Sequence, residues 1–323
     1  MKKSVFLHSW APDDVLADLK EHFDVDQVNI FETGSLDRET FNRHVAGKDG
    51  ILVQQNRVDA EMLAEHAGKL QVVANVAVGV DNIDVEAATK HGIQITNTPD
   101  VLTEAVADMS MALTLAVARR VVEADRYTRA GKFQGNPFPL FWGADITGET
   151  FGIVGMGRIG QALARRAKGF GLDILYHKRT RLDAATEKEL GATWASLDDL
   201  LKKARFIVLL TPLTPETKHL ITARELGLMR EDAYLVNISR GPVVEEAALV
   251  DALKAKRIAG AALDVFEFEP KFSDELPKLD NVVLTPHIGS ASSGTRAGMV
   301  RLAAKNLKAA LLGEAVPSPV NKV

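Results

Sequence analysis

FGIVGMGRIG, residues 151–160, is the most informative run in the chain. An apolar run, Phe151 to Val154, enters three glycines at 155, 157 and 160, and the chain continues into the amphipathic stretch RIGQALARRAKGF. The order strand, glycine turn, helix gives the GxGxxG spacing its meaning. Gly155 permits the tight turn, Gly157 removes a side chain where backbone must approach a pyrophosphate, and Gly160 lets helix and strand pack closely. The start of such a helix offers unbonded N–H groups and partial positive charge to phosphates. Glycines in this spacing also serve ordinary turns, but between an apolar strand and an amphipathic helix dinucleotide binding is the stronger reading.

A fingerprint of this kind expects an acid about 20 positions on, at the tip of the next strand. That tip reads LYHKRTR at 175–181. An acid at 177 would accept bonds from a ribose 2′-hydroxyl and repel a 2′-phosphate; His177 does neither strongly. Lys178, Arg179 and Arg181 place cations where a 2′-phosphate would sit, with Thr180 a supporting hydroxyl. A solvated charged loop is the alternative, and it suffices for Lys178 alone. Two charge-assisted contacts at roughly 1.5–3 kcal/mol each would discriminate a hundredfold or more. The stretch therefore predicts NADP(H) in preference to NAD(H), with Arg179 the chief phosphate ligand and NAD(H) a possible second cofactor.

Outward from the fingerprint, short β-branched runs alternate with helix-length stretches: LDILYH, a helix near 183–190, RFIVLLT, AYLVNI, the helix EEAALVDALKAK, AGAALDV and NVVLTP. This predicts a doubly wound parallel sheet of six or seven strands. The first hundred residues alternate likewise: SVFLHS, PDDVLADLKEHF, DGILVQQ, DAEMLAEHAG, LQVVANV, DVEAATKHG and GIQITNT. The fold class expected is α/β, with two Rossmann-like domains: a dinucleotide-binding domain and a smaller, flavodoxin-like substrate domain. Between them, 101–129 reads as one long helical pattern without Pro or Gly, apolar around too much of its circumference for a surface helix.

The loop GKFQGNPFPLFWGADITG (131–148) carries Phe133, Phe138, Phe141 and Trp142. It either folds back on its own subunit or is an arm buried against a second one. The second reading is preferred, because so many aromatics do not stay wet without cost, and it predicts a homodimer. The last helical stretch, GTRAGMVRLAAKNLKAALLG, follows a complete sheet and is expected to return to the first domain. The predicted boundaries are 1–99 plus 291–323 for the substrate domain, and 100–290, arm included, for the dinucleotide-binding domain.

The 323 residues are 46% hydrophobic and 25% charged, with a net charge of −4 and no cysteine. A chain without a net basic field is a poor nucleic-acid or anionic-membrane binder. The absence of cysteine excludes disulfides, thiolate metal sites and a cysteine nucleophile, and no metal is expected. The opening MKKSVFLHSWAPDD has only Val5–Leu7 as an apolar core before Pro12, too short for a signal peptide. No apolar run approaches the roughly 18 residues of a membrane span. A cytoplasmic protein is expected.

Three islands of polarity stand at strand ends near the C-terminal side of the second domain. LVNI runs into Ser239-Arg240-Gly241-Pro242; AALDV is followed by Glu267 and Glu269 after Asp264; VVLTP ends at His287. Ligands of open α/β sheets collect at the carboxyl ends of strands. Singly, Arg240 reads as a surface cation, Glu269 as a solvated acid and His287 as a hydrogen-bonded core histidine. Together, at equivalent ends of neighbouring strands, they point to a site.

With GMGRIG, ISRGPVV, Glu269-Pro270 after LDVFE, and PHIGSA in this order and spacing, the sequence resembles the D-isomer-specific 2-hydroxyacid dehydrogenases. NVAVGVDNID (75–84) and NTPDVLTEAVAD (97–108) extend the resemblance over nearly the whole chain. PHIGSAS, AAKNL and the GEAVPSPV tail are most similar to the glyoxylate/hydroxypyruvate reductases. The resemblance implies hydride transfer from the nicotinamide to the carbonyl carbon of a 2-keto acid, giving a D-2-hydroxy acid. It implies that His287 is the general acid, that Glu269 orients and stabilises its imidazolium, and that Arg240 binds the substrate carboxylate and polarises the carbonyl. Val78 and Gly79 would hold that carboxylate through backbone N–H groups. Cofactor contacts implied are Thr103 near the nicotinamide, Gly155, Gly157, Arg158, Ile159 and Gly160 at the pyrophosphate, His177 to Thr180 at the ribose, Thr211 and Pro212, Ile238 and Ser239, Asp264 near the carboxamide, and Gly289 and Ser290 beside His287.

The polar loop Gln54-Gln55-Asn56-Arg57 favours a small hydrophilic keto acid such as glyoxylate or hydroxypyruvate, and a sugar-derived acid such as 2-ketogluconate would suit similar walls. Other readings remain: a relative acting on 3-phosphoglycerate, phosphite or formate, or a non-catalytic dinucleotide sensor on the same scaffold. The complete set of Arg240, Glu269 and His287 argues against the sensor.

Overall fold

The computed structural model describes residues 2–135 and 140–323 and forms two compact units, Met1–Leu102 with Ala291–Val323, and Thr103–Ser290. Both are three-layer α/β structures, as the fold class predicted.

In the first unit, strands β1 (Ser4–His8), β2 (Asp24–Val28), β3 (Gly50–Val53), β4 (Val72–Asn75) and β5 (Gln94–Thr96) are all parallel, in the order β2-β1-β3-β4-β5. This is the flavodoxin-like winding. The central strands β3, GILV, and β4, VVAN, are buried along their whole length, because helices cover both faces of a parallel sheet. Helices α1 (Asp13–His22), α2 (Ile30–Thr33), α3 (Arg38–Val45), α4 (Ala60–Glu65) and α5 (Val85–Lys90) supply the crossovers. Asp37, Asp59 and Asp84 cap α3, α4 and α5 by accepting the N–H of the third helical residue.

In the second unit, α6 (Thr103–Ala118) and α7 (Val121–Arg129) precede β6 (Thr150–Val154), α8 (Arg158–Gly169), β7 (Asp173–His177), α9 (Ala184–Leu190), β8 (Ala192–Trp194), α10 (Leu197–Lys203), β9 (Phe206–Leu209), α11 (Ala223–Leu228), β10 (Tyr234–Asn237), α12 (Glu246–Lys254), β11 (Gly260–Leu263) and β12 (Val282–Leu284). The seven strands lie in the order β12-β11-β10-β9-β6-β7-β8, all parallel. The winding reverses between β6 and β9, which is where a doubly wound sheet opens a crevice. The last helix, α13 (Ser293–Leu312), packs in the first unit on β3, β4 and β5.

Three local readings change. Strands β2 and β8 were not legible as strands. Both lie at sheet edges, where one long side is unpaired and a continuous apolar run is not required, so DVDQV and ATW pass for loop. The expected single helix over 101–129 is two, broken at Arg120, whose backbone is left-handed at φ 54°. The break is tertiary in origin: the Ala118 carbonyl accepts the Ala144 N–H at 2.8 Å, and a side chain at Gly143 would run into that same carbonyl. α6 is buried over most of its circumference, its polar edge being Glu104 and Asp108, which pair with Arg166, and its buried Ser110 and Thr114 hydroxyls donate to the carbonyls four residues back at 2.7 and 2.8 Å.

The aromatic loop divides. Phe141 folds back on its own subunit, edge-on to Tyr127 and beneath the Arg120 guanidinium, each at 5.3 Å. Phe133 and Trp142 stay 59% and 65% exposed. Phe138 lies outside the described residues.

Candidate active site

The glycine turn after β6 is built as its spacing requires. Gly155 has φ +107°, its N–H donates to the His177 carbonyl at 3.0 Å, and a Cβ there would lie 2.7 Å from the Leu210 carbonyl group. Gly160 abuts the Gly155 carbonyl so closely that no side chain fits. At Gly157, the N-cap of α8, a Cβ would meet nothing within 4 Å, so the helix start faces open space. No side chain caps that helix and no acid stands in its first turn, which leaves its N–H groups and positive end for an anion. Across the crevice, Thr211 follows β9 with a buried hydroxyl that has no hydrogen-bond partner among the described residues. An open helix start, a glycine cradle and an orphaned hydroxyl at the winding reversal fit a dinucleotide. Arg158 and Ile159 form the first helical turn and Pro212 is exposed beside Thr211.

At the tip of β7 the charged stretch separates by role. His177 Nδ1 lies 3.1 Å from the Ala195 carbonyl, and the Trp194 indole donates to the Lys178 carbonyl at 3.1 Å. Arg181 forms two 2.8 Å bonds to Glu187, and the Tyr176 hydroxyl donates to the same carboxylate at 2.6 Å. Arg181 is therefore engaged in holding the loop, whereas Lys178 and Arg179 form no ion pair among the described residues. Glu216, on the loop after β9, is held below its usual carboxylate range by the Thr214 hydrogen bond first and by its own backbone, with the Arg179 charge contributing last.

The carboxyl ends of β10, β11 and β12 bring three predicted residues together. At β10, Asn237 holds the turn: its amide donates to the Arg240 carbonyl at 3.0 Å and its oxygen accepts from the Ser239 N–H and hydroxyl. Gly241 presses on the Phe266 carbonyl, where any side chain would overlap it, so the Arg240 turn and the loop after β11 lie in contact. Asp264, buried, accepts from the Thr285 hydroxyl at 2.6 Å, the Ile288 N–H at 2.8 Å and the Gly289 N–H at 2.7 Å. It thus shapes the loop that carries His287, whatever else it binds. Gly289 fits between Asp264 and Ile238, and Ser290 follows it.

His287 sits in that loop with a left-handed backbone, φ 54°, a conformation that costs a non-glycine residue about 1–3 kcal/mol and gathers at functional sites. Its Nδ1 is 2.9 Å from Glu269 Oε2, and the other Glu269 oxygen accepts the Phe266 N–H at 2.9 Å. Partial burial acts to raise the Glu269 carboxyl. The hydrogen bond and charge of His287, the Phe266 N–H and the Arg240 charge outweigh it, leaving the group below its usual value. With Nδ1 held, Nε2 is the nitrogen left to meet a substrate oxygen. A fixed imidazole beside a carboxylate, with a guanidinium in the same field, can bind an anion and deliver a proton next to it.

In the first unit, Val78 and Gly79 lie on the loop after β4. Asn75, at the end of β4, donates to the Gly79 carbonyl at 2.8 Å, Asn97 donates to the Val78 carbonyl at 2.8 Å, and the Thr98 N–H donates to the Ala77 carbonyl at 2.9 Å. With its carbonyls tied back, the loop turns out the Val78 and Gly79 N–H groups, which donate to no protein acceptor among the described residues. Gln55, Asn56 and Arg57 line a separate pocket of about 260 Å³ with His8, Ser35 and Arg38. Asn75, Asn97 and Asn237 were missed by sequence reasoning. The available signal was an amide at or just past the end of a strand, before a glycine-bearing or proline-bearing turn.

Residues 111–289 match the family model of the D-isomer specific 2-hydroxyacid dehydrogenase, NAD binding domain. A glyoxylate reductase of Thermococcus onnurineus is 50% identical over 100% of this chain and 97% of its own length. The chain belongs to the D-isomer specific 2-hydroxyacid dehydrogenases. Among solved structures, a glyoxylate reductase from Paecilomyes thermophila superposes with a TM-score of 0.88 at 30% identity, over 99% of this chain and 98% of that one. An NADPH-dependent glyoxylate/hydroxypyruvate reductase from Sinorhizobium meliloti, in complex with NADP and malonate, does so with a TM-score of 0.84 at 34% identity, over 99% and 97%. As a member of this family the protein is an oxidoreductase whose second unit takes a nicotinamide dinucleotide. Among the described residues no helix is long and apolar enough to cross a membrane.

Proposed function

We propose that the protein reduces small 2-keto acids, glyoxylate and hydroxypyruvate foremost and 2-ketogluconate as a longer candidate, to D-2-hydroxy acids, with NADPH preferred to NADH. The observation that carries this reading is the Glu269–His287 pair at 2.9 Å with the Arg240 charge acting on it. The reduced cofactor, when bound, supplies a hydride to the carbonyl carbon. Arg240 takes the substrate carboxylate with a planar fork and draws charge towards the carbonyl oxygen. The Val78 and Gly79 N–H groups serve the same carboxylate. His287 protonates the oxygen through Nε2, and Glu269, kept ionised, holds the imidazole in line and favours its charged form. The relatives named glyoxylate reductase support a small 2-keto acid as substrate.

The NADPH preference rests on Lys178 and Arg179, which form no ion pair among the described residues, with His177 in place of an acid and Thr180 between the cations and the Arg181 brace. A homodimer is supported by the exposed Val121, Phe133 and Trp142, too apolar a set for a surface left in water. A cytoplasmic location accords with the cysteine-free composition.

The test is kcat/KM for a panel of keto acids with each cofactor, followed at the reduced-nicotinamide absorbance band. Turnover of glyoxylate or hydroxypyruvate, faster with NADPH, is expected. Tight cofactor binding with no turnover of any keto acid would sink the enzymatic reading, and equal or better kcat/KM with NADH would sink the preference. Sedimentation as a monomer of 35.0 kDa at micromolar concentration would remove the dimer.

A further inference from the structure

We propose that His219 and Glu267 are positioning residues for the reduction, locking the loop that carries Glu269; this rests on the function proposed above. Glu267 lies two residues before Glu269, points the other way and is 11% exposed. Its Oε2 accepts the Glu246 N–H at the start of α12 at 2.9 Å, and Glu246 returns the bond by accepting the Glu267 N–H at 3.1 Å. The second Glu246 oxygen accepts the Ser273 N–H at 2.7 Å, so the two carboxylates clamp both ends of the 267–273 loop to one helix start. One carboxylate oxygen remains, Glu267 Oε1, and His219 Nε2 meets it at 2.6 Å.

The residue that provides this contact is itself held in an uncommon way. His219 has a left-handed backbone, φ 51°, which few non-glycine residues keep unless their surroundings impose it. Its N–H donates to the Pro242 carbonyl at 2.8 Å, and two residues on Ile221 exchanges backbone bonds with Val243 and Glu245. The segment that presents the imidazole is therefore stitched to the turn that follows Arg240. Gly241 of that turn presses on the Phe266 carbonyl and the Glu267 N–H. One histidine thus touches both pieces of backbone whose relative placement sets the Arg240, Glu269 and His287 geometry.

The imidazole makes no contact with the reacting groups, so its effect passes through Glu267. Without it, a largely buried carboxylate oxygen loses its donor and the loop relaxes to regain one. Glu269 moves with the loop, and with it the line of the His287 imidazole. Displacements near 1 Å at a reacting centre lower rates by about a hundredfold.

His219→Phe keeps a ring and removes both nitrogens, whereas His219→Gln keeps a donor. Steady-state kinetics with glyoxylate and NADPH, the isotope effect from 4-deuterated NADPH and NADPH affinity by fluorescence separate the roles. For His219→Phe we expect kcat about ten- to a hundredfold lower, a larger isotope effect and NADPH affinity within about twofold of wild type. His219→Gln should recover most of kcat. Wild-type kcat and isotope effect in His219→Phe overturn the proposal, as does an equal loss in His219→Gln. If His219→Phe does not fold, Glu267→Gln takes its place: a lower kcat with a raised isotope effect supports the lock, and wild-type values refute it. Wild-type protein that turns over no keto acid would fail the proposed function; active wild type with an indifferent His219 fails this inference alone.

Discussion

α1 and α8 are the first helices of two parallel sheets built on one plan, and their N-termini are opposite. α1 starts behind Pro12 and places Asp13 and Asp14 in its first turn, so its positive end is met by its own carboxylates. α8 starts at Gly157 with no side-chain cap and no acid, and its first residue is Arg158. A glycine N-cap forgoes only about a few tenths of a kcal/mol against a side-chain cap, and it leaves the helix start open to an anion. The strand ends repeat the contrast. The first unit turns out backbone N–H groups from a loop whose carbonyls accept from the neutral amides of Asn75 and Asn97; the second presents Arg240, Glu269 and His287. Two related parallel-sheet windings thus present backbone dipoles at the strand ends of one unit and ionisable groups at those of the other.

The sharpest way to break this contrast is at the ionisable end. His287→Ala should lower kcat by about 10²–10⁴-fold with NADPH affinity nearly intact, since general acid catalysis contributes on that scale; near-normal turnover would remove His287 from its role. Next, Gly157→Asp gives α8 the acidic start of α1. A Cβ is tolerated there, so the fold should persist while the NADPH dissociation constant rises on the order of a hundredfold or more, from like charges a few ångströms apart. Unchanged affinity in a fluorescence titration would mean the helix start is not the phosphate site.

Smaller effects refine the picture. Arg179→Ala should lower the NADPH-to-NADH ratio of kcat/KM by about tenfold or more, the worth of one charge-assisted bond; an unchanged ratio shifts the phosphate elsewhere. Asn75→Ala, which frees the Gly79 carbonyl, should raise the KM for the keto acid about three- to tenfold with a lesser change in kcat. Equal kinetics would mean the loop keeps its shape without that amide. The least effect is expected at Glu187, whose carboxyl is drawn down from 4.5 to about 2, first by the Arg181 hydrogen bond and then by Tyr176. A carboxyl lowered by folding adds stability above its unfolded value and loses it as pH falls through the folded one. The Tm gap between wild type and Glu187→Gln should therefore be constant above about pH 5 and narrow as pH falls from 4.5 towards 2. A gap that widens on acidification would refute the sign.

Much of this was legible beforehand for a plain reason. Interior strands of a parallel sheet are buried on both faces, so FGIVG, ILV and LVNI read as unbroken apolar runs, and a glycine fingerprint between such a run and an amphipathic helix has few other uses. The edge strands DVDQV and ATW carry no such run. The break at Arg120 was invisible because its cause, the Ala144 N–H on the Ala118 carbonyl, comes from a loop more than twenty residues away in sequence. The strand-end asparagines were overlooked because an amide before a turn has many ordinary uses.

The residues alone carry the kinds of chemistry present and their order along the chain: a glycine cradle, a basic strand tip without an acid, and an arginine, an acid and a histidine at successive strand ends. Which of those groups are engaged depends on the folded chain. Arg181 is taken by Glu187 while Arg179 is not, Asp264 is drawn into shaping the His287 loop, and Glu267 turns to His219 while Glu269, two residues on, turns to His287. Residue types are written locally, whereas a partner depends on which strand ends adjoin and which loops touch, and that is settled only when the sheet is wound.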